Sequence, residues 1–156
     1  MTRSAPTTGT DLTQLAVALE RTASWLRRAS RPVEWNAVAM STLDALSRTG
    51  PQRVSGLVTQ ERITQPGMTG LVARLAAAGL VERSPDPRDG RATLVAITPA
   101  GREYVATFHE SRARTVAAHV GNLPDEQQRA LLSATAALTA LAAQPIAEDA
   151  VRGDRR

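Results

Sequence analysis

Residues 84 to 91 read Ser84-Pro85-Asp86-Pro87-Arg88-Asp89-Gly90-Arg91, and the choice of fold depends on what this stretch does. Leu80-Val81-Glu82-Arg83 precedes it, and Ala92-Thr93-Leu94-Val95-Ala96-Ile97-Thr98 follows it. Both flanks are short apolar runs suited to β-strands, and prolines and a glycine punctuate the segment between them. The pattern predicts a hairpin whose turn carries two arginines and two aspartates. Gly90 is expected to supply a positive φ at the turn, and Pro87 limits chain freedom. Two outward aspartates would repel an anionic partner, so Asp89 is assigned to pair with an arginine and fix its direction. The alternative is an ordinary solvated hairpin, whose ion pairs are worth almost nothing.

Upstream of the hairpin the period changes from two to 3.6. Met68, Leu71, Val72 and Leu75 follow the i, i+3, i+4, i+7 template, with Thr64 as N-cap, Pro66 in the first turn and Gly79 as the stop. A shorter helix precedes it, opened by Ser55 as N-cap and carrying Leu57 and Val58. Arg62-Ile63 make a tight connection between the two. Short helix, tight turn, second helix and hairpin is a winged helix-turn-helix order, in which the second helix lies in the DNA major groove. A plain helical hairpin in an all-α core is the alternative for the helix pair alone, and the Arg-rich hairpin beside it tips the balance.

Longer helices flank this lobe. Leu12, Leu15, Ala16, Leu19, Ala23 and Leu26 share one face, and Arg31-Pro32 breaks that helix. A second helix is expected from about Glu34, opened by Trp35, with Val38, Ala39, Thr42, Leu43 and Leu46 on one stripe and Gly50-Pro51 as its stop. After Gly101 a long helix carries Tyr104, Val105, Phe108, Arg112, Val116 and Val120, ending at Gly121. Pro124-Asp125-Glu126 opens a final helix with Leu131, Leu132, Thr135, Leu138 and Leu141 on its apolar face, its first-turn acids suited to the helix dipole. The fold class is therefore mainly α with a small β-hairpin wing. The expected boundaries are a disordered tail over 1–10, an N-terminal helix over 11–34, the winged lobe over 35–100, C-terminal helices over 101–144 and a flexible tail over 145–156.

Composition narrows the function. The chain has 156 residues and no cysteine, which excludes disulfides, thiolate metal ligands and a cysteine nucleophile. No run approaches a membrane span, and the N-terminus lacks the apolar segment of a secretory signal, so a cytoplasmic address is expected. Every basic residue is arginine, a planar fork suited to phosphate and guanine edges. Up to Arg102 there are 13 arginines against 8 acids; beyond it there are 6 against 7. The excess of positive charge thus ends just past the hairpin, which suits an anionic partner for that part of the chain and, taken with the winged-helix order, duplex DNA. His109 and His119 stand ten apart on one helix rather than at i and i+4, so a zinc site is not expected and the two read as surface or interface histidines; no cofactor is expected. There is no Ser-His-Asp set and no phosphate-binding glycine loop, and the chain reads as a non-enzyme.

On a helical wheel, the second helix turns Pro66, Thr69, Gly70, Ala73 and Ala77 away from its apolar face, with Gln65 and Arg74 at the sides. This surface is short of donors. Gln65 can read adenine, and Thr69 a thymine methyl or a phosphate. Gly67 and Gly70 are either tolerated surface residues or places where the backbone approaches DNA closely. Arg88 and Arg91 can reach a minor groove or its phosphates.

Ser55 to Gly101 resembles the MarR family of bacterial transcription regulators. The resemblance rests on the Ser-x-Leu first helix, Thr64-Gln65-Pro66-Gly67-Met68-Thr69, Ala78-Gly79-Leu80-Val81, Asp89-Gly90-Arg91 and Ile97-Thr98-Pro99-Ala100-Gly101. It implies an obligate homodimer joined by N- and C-terminal dimerisation helices and bound to a pseudo-palindromic operator. It further implies that Arg91 enters the minor groove while Asp89 helps to hold it. Glu61 stands where many members are apolar, and Gly70 where many carry an arginine that Arg74 partly replaces. Many members also bind a small anionic or aromatic effector between the dimerisation helices and the DNA lobe. Trp25, Trp35, Met40, Tyr104 and Phe108 are the candidate lining here, with ordinary core packing as the alternative for each. A winged helix serving as an architectural or protein-interaction module, with only non-specific DNA binding, is the second functional reading.

Overall fold

The computed structural model describes residues 9–30 and 34–144. Six helices and a three-stranded antiparallel sheet follow in the order α1 (Gly9–Ala29), α2 (Ala37–Thr49), β1 (Gln52–Arg53), α3 (Val54–Glu61), α4 (Gln65–Ala77), β2 (Val81–Asp86), β3 (Asp89–Ile97), α5 (Pro99–Val120) and α6 (Asp125–Ala142). The chain divides into two compact units, one running to Thr115 and the other from Val116 onward.

The core of the first unit is built from the stripes that the periodicity marked. Leu43 and Leu46 of α2, Leu57 of α3, Met68 and Leu75 of α4 and Val95 of β3 are wholly enclosed, and Val105 of α5 closes the cluster. Helix α1 buries no residue, and Leu12 remains 55% exposed. In the second unit α6 likewise buries none, and Leu132 is 71% exposed.

Local chemistry sets the boundaries. Helix α1 begins at Gly9, so the expected tail over 1–10 gives way to helix two residues early; the remainder of that tail, the Arg31-Pro32 break and the tail over 145–156 lie outside the described residues. Trp35 does not open α2. It precedes the N-cap Asn36, whose Oδ1 accepts the Ala39 N–H at 2.9 Å and so fixes the first turn two residues later than expected. The N-cap of α3 is Arg53 rather than Ser55, with no side-chain capping bond, because the chain enters this helix directly from β1.

Thr64 caps α4 as its sequence context requires, accepting the Gly67 N–H at 3.3 Å. The other end of α4 closes on Gly79 at φ 71. Leu80 N–H bonds Leu75 O and Gly79 N–H bonds Ala76 O, the paired bonds of a Schellman motif.

Thr98 then docks α5 onto that closure. Its N–H donates to Leu80 O at 3.1 Å, its hydroxyl donates to Gly79 O at 2.6 Å, and the same oxygen accepts the Gly101 N–H at 3.0 Å. Pro99 fits the first helical position, where no N–H is needed. Thr98-Pro99-Ala100-Gly101 is therefore a helix start fastened to the end of another helix.

The sheet has the order β1-β3-β2. β1 is two residues long, too short for any period to betray it, and pairs Gln52 with Val95 and Arg53 with Leu94. The hairpin is tighter than its sequence suggests: the strands run on to Asp86 and Asp89, leaving only Pro87 and Arg88 as the turn. Gly90 accordingly lies within β3 and has no positive φ, contrary to expectation. Pro85 is accommodated because β2 is an edge strand, and the register shifts between Pro85 and Asp86.

Among the described residues the one non-glycine with positive φ is Arg62, at φ 52 and ψ 39, between α3 and α4. This left-handed conformation costs an L-residue about 1 kcal/mol or more.

Candidate nucleic-acid interface and adjoining pocket

Helix α4 buries Met68, Leu71, Val72 and Leu75 and leaves Gln65, Pro66, Gly67, Thr69, Gly70 and Ala73 exposed. That exposed strip is a shallow surface with few donors. The Thr69 hydroxyl is already engaged, donating to Gln65 O at 2.9 Å, which leaves its methyl as the feature it offers outward. The two glycines separate in role. A Cβ on Gly67 would stand 3.1 Å from the Thr64 hydroxyl, so Gly67 makes room for the cap. A Cβ on Gly70 would meet nothing within 4 Å, so the protein's own packing does not require glycine there. Ser55 is exposed in the first turn of α3. Arg74 lies further along α4, where it borders a shallow pocket with Glu34, Trp35 and Asn36.

At the wing, Arg88, Asp89 and Arg91 are all exposed. Asp89 makes no ion pair with either arginine. Its Oδ1 accepts the Arg91 backbone N–H at 3.1 Å, because a carboxylate two residues back reaches a main-chain donor more readily than a guanidinium. Asp89 therefore shapes the strand that carries Arg91.

The buried carboxylate is Asp86, 6% exposed, which neither composition nor spacing singled out. Its Oδ1 accepts the Arg88 N–H at 2.8 Å and its Oδ2 accepts Arg53 Nε at 2.6 Å. The Arg88 bond, followed by Arg53, holds its carboxyl below the usual aspartate value against the opposing effect of desolvation. One side chain thus ties the turn of the wing to the N-cap of α3. The signal available in sequence was the pair of aspartates in Asp-Pro-Arg-Asp, but nothing marked which one faces inward.

Within the first unit, a pocket of about 540 Å³ opens between α1, α2 and α5. Of the expected lining it collects Trp35, Met40 and Phe108; Trp25 and Tyr104 are not among its walls. Tyr104 instead packs against the core, where burial pushes its phenol above the usual value. The pocket adds two cations that the aromatic reading missed, Arg27 and Arg112. Arg112 stacks 4.3 Å over the Phe108 ring. Burial, and then the neighbouring Arg27, hold its guanidinium below the usual arginine value, and its Nε is enclosed without a hydrogen-bond partner among the described residues. An arginine on an apolar stripe, four residues after Phe108, was the signal for it. Asp44 on the same wall pairs with Arg48 at 2.9 Å and lies 3.1 Å from His109 Nε2. Among the described residues no group of His, Asp or Glu is arranged to hold a metal, and no helix is long and apolar enough to cross a membrane.

Comparison with known proteins agrees with this geometry. The family model for the MarR family matches residues 35–93, from Trp35 through most of the wing. An HTH-type transcriptional regulator of Mycobacterium bovis is 33% identical over 129 residues, covering 81% of this chain and 89% of its own. Among solved structures, RV1404 of Mycobacterium tuberculosis superposes with a TM-score of 0.72 at 26% identity, covering 90% of this chain and 98% of that one. BpsR of Bordetella bronchiseptica does so with a TM-score of 0.57 at 25% identity, covering 81% and 98%. With a capped recognition helix, an arginine-bearing wing and a relative matched over most of both lengths, the chain belongs to the MarR family of helix-turn-helix transcriptional regulators.

Proposed function

We propose that the chain acts as a homodimeric repressor that binds a pseudo-palindromic operator and is released by a small aromatic anion. The observation that carries the DNA-binding part is the exposed, donor-poor face of α4 beside a wing with two exposed arginines. Gln65 and Thr69 read bases, Ser55, Thr64, Pro66, Gly67 and Arg74 position the helix against the backbone, and Arg91, with Arg88, contacts the minor groove. Asp89 holds the strand that presents Arg91. With so few donors in the major groove, selectivity depends largely on DNA shape, to which arginine in a narrow minor groove is especially sensitive.

The exposed leucines of α1 and α6 support dimerisation, since large apolar residues left in water on terminal helices suit burial against a second copy. Two subunits must then present their recognition helices one helical turn of DNA apart. Occupancy of the pocket between α1, α2 and α5 shifts the population away from that spacing. The pairing of Arg112 and Arg27 with Trp35 and Phe108 suits an aromatic carboxylate. BpsR, whose DNA binding is regulated by 6-hydroxynicotinic acid, supports the same ligand class.

The test is fluorescence anisotropy on a duplex that the protein has enriched from a randomised pool, against a scrambled duplex, with and without 6-hydroxynicotinic acid. A specific complex that the acid weakens is expected. Equal affinity for both duplexes favours the architectural-module reading instead, with binding set only by charge and salt.

A further inference from the structure

We propose that Arg62, in the turn between α3 and α4, contacts a DNA backbone phosphate and supplies the cation that the first two turns of the recognition helix lack. The proposal rests on the reading of the chain as a DNA-binding regulator and adds a residue to its contact surface.

The turn itself is fixed by its neighbours. Leu57 and Met68 are wholly enclosed on either side of it, Ile63 packs against the same core, and Thr64 caps α4. The residue between Glu61 and Ile63 is thereby forced to φ 52, a conformation in which glycine is the low-cost occupant. An arginine is present instead, and nothing inside the protein compensates for it. Its side chain is exposed and makes no hydrogen bond or ion pair among the described residues. The carboxylate next to it in the chain is committed elsewhere: Glu61 Oε1 accepts from the Ser41 hydroxyl at 2.9 Å and from Gln60 Nε2 at 3.4 Å.

What lies beside it explains the use. From Ile63 to Ala73 there is no charged residue, so the first two turns of α4 offer an amide, the Thr69 methyl and glycines but no cation. Arg62 stands at the entry to that helix, three residues before Gln65. Phosphate contacts from such positions fix the register of a recognition helix without reading sequence. A guanidinium held at a conformational cost, with no internal partner, beside a groove-facing helix whose first two turns carry no positive charge, is suited to that contact.

The proposal separates from a structural role because the two predict opposite effects of Arg62→Gly. Affinity is measured by anisotropy at several salt concentrations, on the enriched duplex and on an unselected one. The expected result is a salt slope shallower by about 0.9 per bound subunit, so that across a tenfold rise in salt the variant's affinity falls roughly eightfold less per contact than the wild type's. The thermal midpoint of the same variant is expected to equal or exceed that of the wild type, since glycine relieves the positive φ. Arg62→Lys keeps the slope. Arg114→Ala, which removes an exposed charge from α5, leaves it in place.

An unchanged slope in Arg62→Gly overturns the proposal. So does an equal loss in Arg114→Ala, which would make the effect one of net charge, or an equal loss in Arg62→Lys. Failure of the wild type to prefer the enriched duplex refutes the regulator reading separately. The Arg62 comparison is then decided on the unselected duplex, where a phosphate contact must still appear.

Discussion

Gly101→Ala tests whether the junction between the winged lobe and α5 is as tight as its geometry indicates. Gly101 is the third residue of α5, where alanine would normally be better by about 1 kcal/mol on helix propensity. Here a Cβ would run into the backbone oxygen of Leu80, and would stand 2.7 Å from Ile97 Cγ1 and 3.1 Å from the Leu80 carbonyl carbon. Backbone cannot yield as the end of a flexible side chain does. The start of α5 must therefore lift away from Leu80, and the Thr98 bonds to Leu80 O and Gly79 O go with it. Overpacking costs roughly 1–3 kcal/mol, and the two bonds about 1 kcal/mol each. Set against the propensity gain, the net loss is roughly 2–4 kcal/mol, a large share of the ~5–15 kcal/mol that holds a typical domain together. Urea unfolding followed by tryptophan fluorescence reads it, since Trp35 packs against the core in question. The midpoint should fall with the slope of the transition unchanged. A variant as stable as the wild type, or more stable, would refute the close approach and with it the account of Thr98-Pro99-Ala100-Gly101 as a docking element.

Other consequences follow from single side chains. Thr64→Ala removes the cap of the recognition helix and should cost about 1 kcal/mol in the same urea assay, with DNA affinity falling in parallel. Asp86 titrates below its usual value in the folded protein, so its contribution is present at neutral pH and is lost as pH falls through that lowered value. The wild type should lose stability on acidification relative to Asp86→Asn, and a constant difference between the two down to strongly acid pH would contradict the assignment. In the pocket, 6-hydroxynicotinic acid should change the fluorescence of Trp35 in the wild type but not in Arg112→Ala. An identical response in both would remove Arg112 from the ligand site.

The elements whose signal is a repeated burial pattern were legible in the sequence. The stripe Met68, Leu71, Val72, Leu75 is the buried face of α4, and Thr64 and Gly79 are its ends. What the sequence did not disclose depends on contacts between distant residues. β1 exists only because Gln52 and Arg53 meet Val95 and Leu94. Asp86 and Asp89 are chemically equivalent in the string, and only the pairing of Asp86 with Arg53, 33 residues away, makes one of them structural. Ser55 resembles an N-cap, yet a strand entering the helix displaced it. The aromatic members of the pocket were found by type, which also drew in Trp25 and Tyr104. The cations Arg27 and Arg112 come together only when α1 and α5 do. Arg62 was visible as part of a tight connection, but its positive φ is a property of the closed turn.

The central claim is that this chain recognises duplex DNA through a donor-poor helix assisted by its wing. The most direct measurement is anisotropy of the wild type and of Arg91→Ala on the enriched duplex and on a scrambled one, over a range of salt. The account predicts a preference for the enriched duplex that Arg91→Ala reduces more than Gln65→Ala does, because the wing makes the contact that the helix cannot. Equal affinity of the wild type for both duplexes would contradict it.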